Sequence, residues 1–244
     1  MIDALTPFQL SASAAILAIA YLVRGVAGFG SGLIAIPILT LMFPISIVVP
    51  LMVVLDYVAS LSHGLKNRDE IRWKELLPLI PFSIAGVMIA LFFLSKSDAY
   101  LLTKALGVFI ILFALYTLSG FTPKSGAARG WGALAGLSGG MIGTLFGTGG
   151  PLYVTYFKAR GLDKGAFRTT LAVTFLLDGA GRIVGYASTG FFNAEFFKLI
   201  AMALPVLAVF MYIGGHIHTK ITQVQFQRAI SVLLILSGTV LLLK

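Results

Sequence analysis

Cysteine is absent from the chain, which excludes disulfides, iron–sulfur clusters and thiol chemistry. Charge is nearly as scarce: 11% of the 244 residues are charged, against roughly 25% in an ordinary soluble domain. Histidine occurs three times, at 63, 216 and 218. His216 and His218 lie beside Lys220 at a predicted helix end and do not make a metal cluster, so no metal is expected. The opening MIDALTPFQL holds Asp3 and no Lys or Arg, a poor signal-peptide n-region, so the first apolar run is expected to belong to the mature fold. Gly149-Gly150-Pro151 is not followed by Lys-Ser or Lys-Thr, so it is not a P-loop. No hydrolase, kinase or zinc motif is found, and no cofactor is expected. Enzymatic acid–base or nucleophilic work needs several convergent polar side chains, whereas the apolar segments offer two isolated aspartates and glycine-rich backbone.

What is abundant is apolar surface. Hydrophobic residues make up 58% of the chain, and the mean hydropathy is +0.98. A core large enough to bury this material in water exceeds what 244 residues enclose, so lipid is the solvent for much of it. The net charge of +9 does not signal nucleic acid. The basic residues mostly sit in short loops between apolar runs, where membrane topology favours them. The expected partners are the lipid bilayer and a small solute; monomer and homodimer are both left open.

About 20 apolar residues span the hydrocarbon as a helix. The hydrophobic segments are 8–43, 45–62, 76–94, 101–118, 130–159, 167–187, 196–214 and 225–243. The first and fifth are too long for one crossing. The first carries Gly28-Phe29-Gly30-Ser31-Gly32 at its middle, the fifth Gly147-Thr148-Gly149-Gly150-Pro151. Glycine weakens a helix and proline removes an amide donor, so both segments read as broken helices.

These anomalies also suggest an internal repeat. Gly28, Gly30, Gly32 and Leu33 correspond to Gly147, Gly149, Pro151 and Leu152 at a constant offset of 119. LTKALGVFIILFALYTL near the end of one half resembles QFQRAISVLLILSGTVLLL near the end of the other. The halves are 1–120 and 121–244, expected as two repeats of one transmembrane domain.

Loop charge distinguishes how the breaks are threaded. If each broken element crosses once, the alternating loop sets hold eight Lys and Arg each, and no orientation is favoured. If each is a hairpin, one side holds twelve, from Lys66, Arg68, Arg72 and Lys74 through Lys124, Arg129, Lys158, Arg160, Lys164, Arg168, Lys220 and Arg228. The other side holds four: Lys96, Lys104, Lys198 and Lys244. This bias favours hairpins, with the twelve-residue side cytoplasmic and both termini periplasmic. Each half then crosses an odd number of times, which inverts the second relative to the first. The fold class is therefore an all-α integral membrane protein of eight hydrophobic segments in two inverted repeats, the first and fifth broken into glycine-rich hairpins. Secondary transporters use this plan and bind substrate at the midplane, between discontinuous helices.

Backbone amides at a helix break are donors that lipid cannot satisfy, and a helix N-terminus adds partial positive charge. The candidate anion site is accordingly Gly28, Gly30, Ser31 and Gly32 with Gly147, Thr148, Gly149 and Gly150, where Ser31 and Thr148 add hydroxyls. The competing reading is that these glycines only permit close helix packing. Four ionisable residues lie within apolar segments: Arg24, Asp56, Asp178 and Arg182. Arg24 is one turn before Gly28 and can hold the anion, or it can snorkel and control topology. Asp178 and Arg182 are four apart and can pair on one face, as a structural ion pair or as part of a substrate site. The sequence offers Asp56 no obvious partner at helical spacing, and it is a candidate proton carrier. The stretch from Lys66 to Glu75 reads as a solvated connector, and Gly214-Gly215 as a helix cap or a packing point.

The stretches GVAGFGSGLIAIP, Gly25 to Pro37, and GTLFGTGGPLY, Gly143 to Tyr153, resemble the paired motifs of the TauE/SafE family, the sulfite and organosulfur anion permeases of bacterial membranes. The order of elements extends the likeness across nearly the whole chain. The second motif departs from the family pattern, because Pro151 follows Gly150 directly whereas Pro37 stands several residues after Gly32. That sets the two sites apart. The resemblance implies secondary transport of a small anion such as sulfite, a sulfonate, sulfoacetate or thiosulfate, in many members coupled to the proton gradient. It also implies a bacterial inner membrane and no cofactor, and it does not fix the anion. A passive anion channel and a structural or assembly membrane protein are the alternatives.

Overall fold

The computed structural model describes residues 6–64, 68–120, 126–217 and 223–243. Lys66, Lys124, His218, Lys220 and Lys244 lie outside the described residues, as do Asp3 and the side chain of His63. Every regular element among the described residues is helical: α1 (Pro7–Ala27), α2 (Ser31–Leu39), α3 (Ile45–Gly64), a 3-10 turn (Arg68–Glu70), α4 (Trp73–Leu76), α5 (Ile80–Leu94), α6 (Ala99–Leu118), α7 (Trp131–Phe146), α8 (Gly150–Ala159), α9 (Lys164–Ser188), α10 (Ala194–His216) and α11 (Gln223–Leu243). A helix satisfies its backbone internally, as lipid requires. Four stretches among the described residues are long and apolar enough to cross a membrane: Pro7–Ala27, Trp73–Leu94, Ala99–Leu118 and Ala194–His216. The chain is a multi-pass membrane protein. Outward-facing Met88, Phe92, Leu112, Tyr212, Leu236 and Leu243 are exposed, as a lipid-facing surface allows.

Local chemistry sets several helix starts. Thr6 caps α1, accepting from the Gln9 amide while the Gln9 side chain accepts from the Thr6 amide, with Pro7 at the first position. Asp163 caps α9 by accepting from the Ala166 amide.

The residues group into two compact units, and each takes segments from both sequence halves. The first comprises 1–48, 97–122 and 194–244. In it α1 packs on α10, and α11 packs on α6 and α2. Glycines set the approach. A β-carbon at Gly25 would stand 2.8 Å from the Gly214 Cα, and one at Gly107 would stand 3.1 Å from the Gly238 carbonyl oxygen. Gly214 is therefore a packing point, and α10 runs on to His216 instead of ending at it. Lys104 near the start of α6 donates to the Leu242 carbonyl near the end of α11 at 2.5 Å.

The second unit comprises 49–96 and 123–193. Here α5 packs on α7, with α8 and α9 alongside. A β-carbon at Gly86 would strike the Leu137 carbonyl, one at Gly136 the Leu79 carbonyl and one at Gly140 the Ser83 carbonyl. The close-packing role of small residues thus falls partly on glycines outside the breaks.

The ends of the α7–α8 element lie together. The amides of Gly126 and Ala127 donate to the Ala159 carbonyl at 2.9 and 3.2 Å. Arg160 donates to the Ala127 carbonyl. Glu75 accepts from Arg160 Nε at 2.7 Å and Nη2 at 3.0 Å, from Arg129 at 3.2 Å and from the Tyr156 hydroxyl at 2.9 Å. Glu75 is buried, which corrects its reading as part of a solvated connector. The same end gathers Arg72, whose amide donates to Thr170 Oγ1 at 3.0 Å and whose guanidinium stands 3.6 Å from Asp163.

Candidate functional site

Both glycine-rich elements are interrupted where the sequence predicts. Gly28 closes α1 in the left-handed region, φ 84°, with its amide on the Arg24 carbonyl at 2.6 Å. Gly147 closes α7 in the same way, φ 65°, with its amide on the Gly143 carbonyl at 2.9 Å. The pair 24/28 maps onto 143/147 at the repeat offset of 119 read from the sequence. Beyond the cap the breaks diverge: Gly30 has φ 102° and Gly149 has φ −68°. The lengths differ as well, 21 residues in α1 against 16 in α7.

At the first break, in the first unit, α2 begins at Ser31 with Gly32 behind it, both buried. Arg24 Nη1 donates to Ser31 Oγ at 3.0 Å, and Arg24 is itself only 4% exposed. The structure therefore brings Arg24 to the N-terminus of α2, which disfavours snorkelling. Pro37 sits inside α2, where membrane helices tolerate it.

At the second break, in the second unit, a polar cluster is assembled from four helices. Glycines 139, 140 and 143 share one face of α7 by their spacing and leave a groove. Gly140 takes the Ser83 backbone of α5, Gly139 the Tyr153 ring of α8, and Gly143 the Arg182 guanidinium of α9. Arg182 pairs with Asp178 one turn back on the same helix. Asp178 also accepts from Ser83 Oγ, which lies 3.1 Å from the Tyr153 hydroxyl. Arg182 Nη2 reaches the Gly139 carbonyl at 3.5 Å. Tyr186, one turn further on α9, donates to the Thr144 carbonyl.

Two donors of this cluster stay unused. Arg182 Nε and Thr148 Oγ1 are buried without a hydrogen-bond partner among the described residues. Buried polar groups are ordinarily satisfied, and each exception calls for an explanation. In the first turn of α8, Pro151 supplies no amide and the Leu152 amide donates to the Gly149 carbonyl at 3.2 Å. Gly150 opens α8, with the Phe175 ring 3.1 Å from where its β-carbon would be.

Ser83 is the eleventh residue of the 22-residue span Trp73–Leu94, so the Ser83–Asp178 contact stands near the middle of that span. Ser83 and Tyr153 were not legible as site residues, because neither carries charge and only packing brings them to Asp178. Asp56 lies half-buried on α3, one residue before Tyr57, whose ring packs 3.2 Å from where a β-carbon on Gly179 would be. Its carbonyl accepts from Ser60.

An all-helical, multi-pass chain with broken helices and a buried charged pair has the build of a membrane transport protein. The chain belongs to the family described as Sulfite exporter TauE/SafE, whose match runs over residues 13–241. It is 28% identical over 192 residues to "Probable inner membrane transporter protein TsaS" of Comamonas testosteroni, covering 77% of this chain and 80% of that protein. It is 26% identical over 201 residues to "Probable sulfite/organosulfonate exporter TauE" of Cupriavidus necator, covering 78% of this chain and 76% of that one. No solved structure matches the chain. The family is one of transporters, not enzymes.

Proposed function

We propose that this chain is a secondary transporter exporting a small sulfur oxyanion, of the sulfite or sulfonate class, across the bacterial inner membrane. The relatives named as an inner membrane transporter and a sulfite/organosulfonate exporter support the substrate class and the membrane. The observation that carries the mechanism is the second break, where the buried Arg182 Nε and Thr148 Oγ1 are unsatisfied donors. An oxyanion accepts from both while remaining next to the N-terminal end of α8, where the helix dipole is positive.

The proposed site is the one the sequence raised: Arg24, Gly28, Gly30, Ser31 and Gly32 at the first break, and Gly147, Thr148, Gly149, Gly150 and Arg182 at the second. Each break supplies its own arginine. Ser83 and Tyr153 join the second set through Asp178. Asp56 and Asp178 are the carboxylates available for proton coupling.

The architecture proposed is a pair of inverted repeats, 1–120 and 121–244, forming one transmembrane domain with re-entrant first and fifth segments. The bonds from Gly126 and Ala127 to Ala159 support a hairpin for the fifth, since its entry and exit are joined. Arg72, Arg129 and Arg160 gather at that same end, in line with the twelve-residue side of the charge count. This side is proposed as cytoplasmic, which leaves both termini periplasmic.

The test is uptake of radiolabelled sulfite, thiosulfate and sulfoacetate into proteoliposomes, with and without an imposed pH gradient. Saturable uptake driven uphill by the gradient supports a proton-coupled carrier. Passive flux that no gradient drives uphill indicates a channel, and saturable uptake of none of them contradicts the substrate class.

A further inference from the structure

We propose that the second break selects an oxyanion carrying a single negative charge, a sulfonate or hydrogen sulfite, over dianions such as sulfate, thiosulfate or sulfoacetate. The proposal rests on the reading of this break as the anion site, and it follows from the charges that surround it.

Arg182 and Asp178 are 6% and 1% exposed, and they pair with each other. A guanidinium stays protonated in proteins, and this one faces a carboxylate on its own helix. Among the described residues, no further full charge is paired with either group. Helices α5 and α7 carry no ionisable residue. Helix α8 contributes Tyr153, with Tyr156 and Lys158 nearer its far end, and α9 contributes Tyr186 one turn beyond Arg182, with Lys164 and Arg168 toward its start. From α3, Tyr57 packs at Gly179, next in sequence to Asp56. The break therefore offers unsatisfied donors without net positive charge.

Three consequences follow. A bound monoanion leaves one uncompensated negative charge, and a dianion leaves two. The cost of holding charge in a low-dielectric interior rises with its square, so the second charge is far costlier than the first. The Asp178 carboxylate, one turn from Arg182, adds repulsion that grows in proportion to the charge of the ligand. A hydrogen sulfite O–H gives the site something the dianion lacks, a donor that the Asp178 carboxylate can accept.

The experiment is competition against uptake of labelled methanesulfonate, a monoanion at every working pH, in proteoliposomes of the full chain. Unlabelled sulfonates are expected to compete on the order of 100-fold more strongly than sulfate or thiosulfate. Competition by sulfite should strengthen as pH falls and its monoanion accumulates, while methanesulfonate self-competition stays flat. Asp178→Asn keeps the shape and removes the repelling charge, so it should shift the thiosulfate-to-methanesulfonate competition ratio about tenfold or more toward the dianion. Ser138→Ala, on α7 with its hydroxyl on the Leu134 carbonyl and outside this cluster, should leave that ratio in place. Equal competition by dianions in the wild type, sulfite competition that ignores pH, or an unmoved ratio in Asp178→Asn overturns the proposal. The wild-type pH series needs no variant, so it decides even where Asp178→Asn fails to fold. Absence of uptake of any anion overturns the transport reading and this selection with it, whereas uptake without discrimination overturns the selection alone.

Discussion

The guanidinium of Arg182 lies against the backbone of Gly149, so that a β-carbon added there would stand 3.1 Å from its Nη2. The same added carbon would strike the Gly139 carbonyl and stand 3.0 Å from the Gly143 Cα. Gly149 thus sets both the closeness of the break to α7 and the position of the arginine.

Gly149→Ala is therefore expected to lower transport by about 100-fold, the scale on which a displacement near 1 Å acts. Membrane insertion should persist. Gly181→Ala on the neighbouring helix meets nothing within 4 Å, and transport should stay within about twofold of wild type. Initial rates of uptake in proteoliposomes check both.

Gly30 makes a different demand. Nothing lies within 4 Å of its would-be β-carbon, yet its φ is 102°. Gly30→Ala should cost about 1–2 kcal/mol through backbone conformation alone. Gly30→Val should block transport with little loss of insertion. Unfolding by SDS titration in mixed micelles, beside uptake, separates the two effects.

The clasp at the base of α7–α8 is predicted to be unequal. Glu75 has a side chain 8% exposed and holds Arg160, which is 17% exposed, so Glu75→Ala strands a shielded cation. That should cost about 3–5 kcal/mol. Arg129 is 57% exposed, and Arg129→Ala should cost less than about 1 kcal/mol. The same SDS titration reads the difference, and similar losses for both variants would contradict the clasp.

The α9 cap carries a pH dependence of known sign. The Ala166 amide, with smaller help from Gly165 and Arg72, holds the Asp163 carboxyl below the usual aspartate value. Its stabilising contribution is complete above about pH 4, the unfolded value, and is lost as pH falls through the lower folded value. Exchange of the first-turn amides of α9 should speed up over that acid window. Asp163→Asn keeps the cap and does not titrate, so it should lose this acid-side step.

Much of this fold was legible in the sequence because lipid imposes a simple rule. An apolar stretch of spanning length becomes a helix; every regular element among the described residues is helical, and four stretches are long and apolar enough to cross. The breaks were legible because glycine clusters there exceed what a continuous helix tolerates, and the spacing of Asp178 and Arg182 announced their pairing. Ser83 and Tyr153 were not legible: they reach Asp178 across 95 and 25 positions of sequence, through packing that α7 glycines permit. Glu75 was misread for the same reason, since its partners Arg129 and Arg160 stand 54 and 85 residues away. The available hint was an acid at the mouth of an apolar run, matched by arginines flanking the broken segment.

The orientation proposed from loop charge can be tested directly in this cysteine-free chain. Lys74 and Lys198 are both exposed, on the twelve-residue and four-residue sides respectively. In intact cells, a membrane-impermeant maleimide should label Lys198→Cys and spare Lys74→Cys. Labelling of Lys74→Cys alone would invert the topology.

The break beside Arg182 is proposed to bind the transported anion, and the decisive measurement is uptake of labelled sulfite and methanesulfonate by wild-type and Arg182→Gln proteins in proteoliposomes. Saturable uptake by the wild type, with a loss of about 100-fold or more in the correctly inserted variant, is the predicted result. Equal uptake by the two proteins would contradict it.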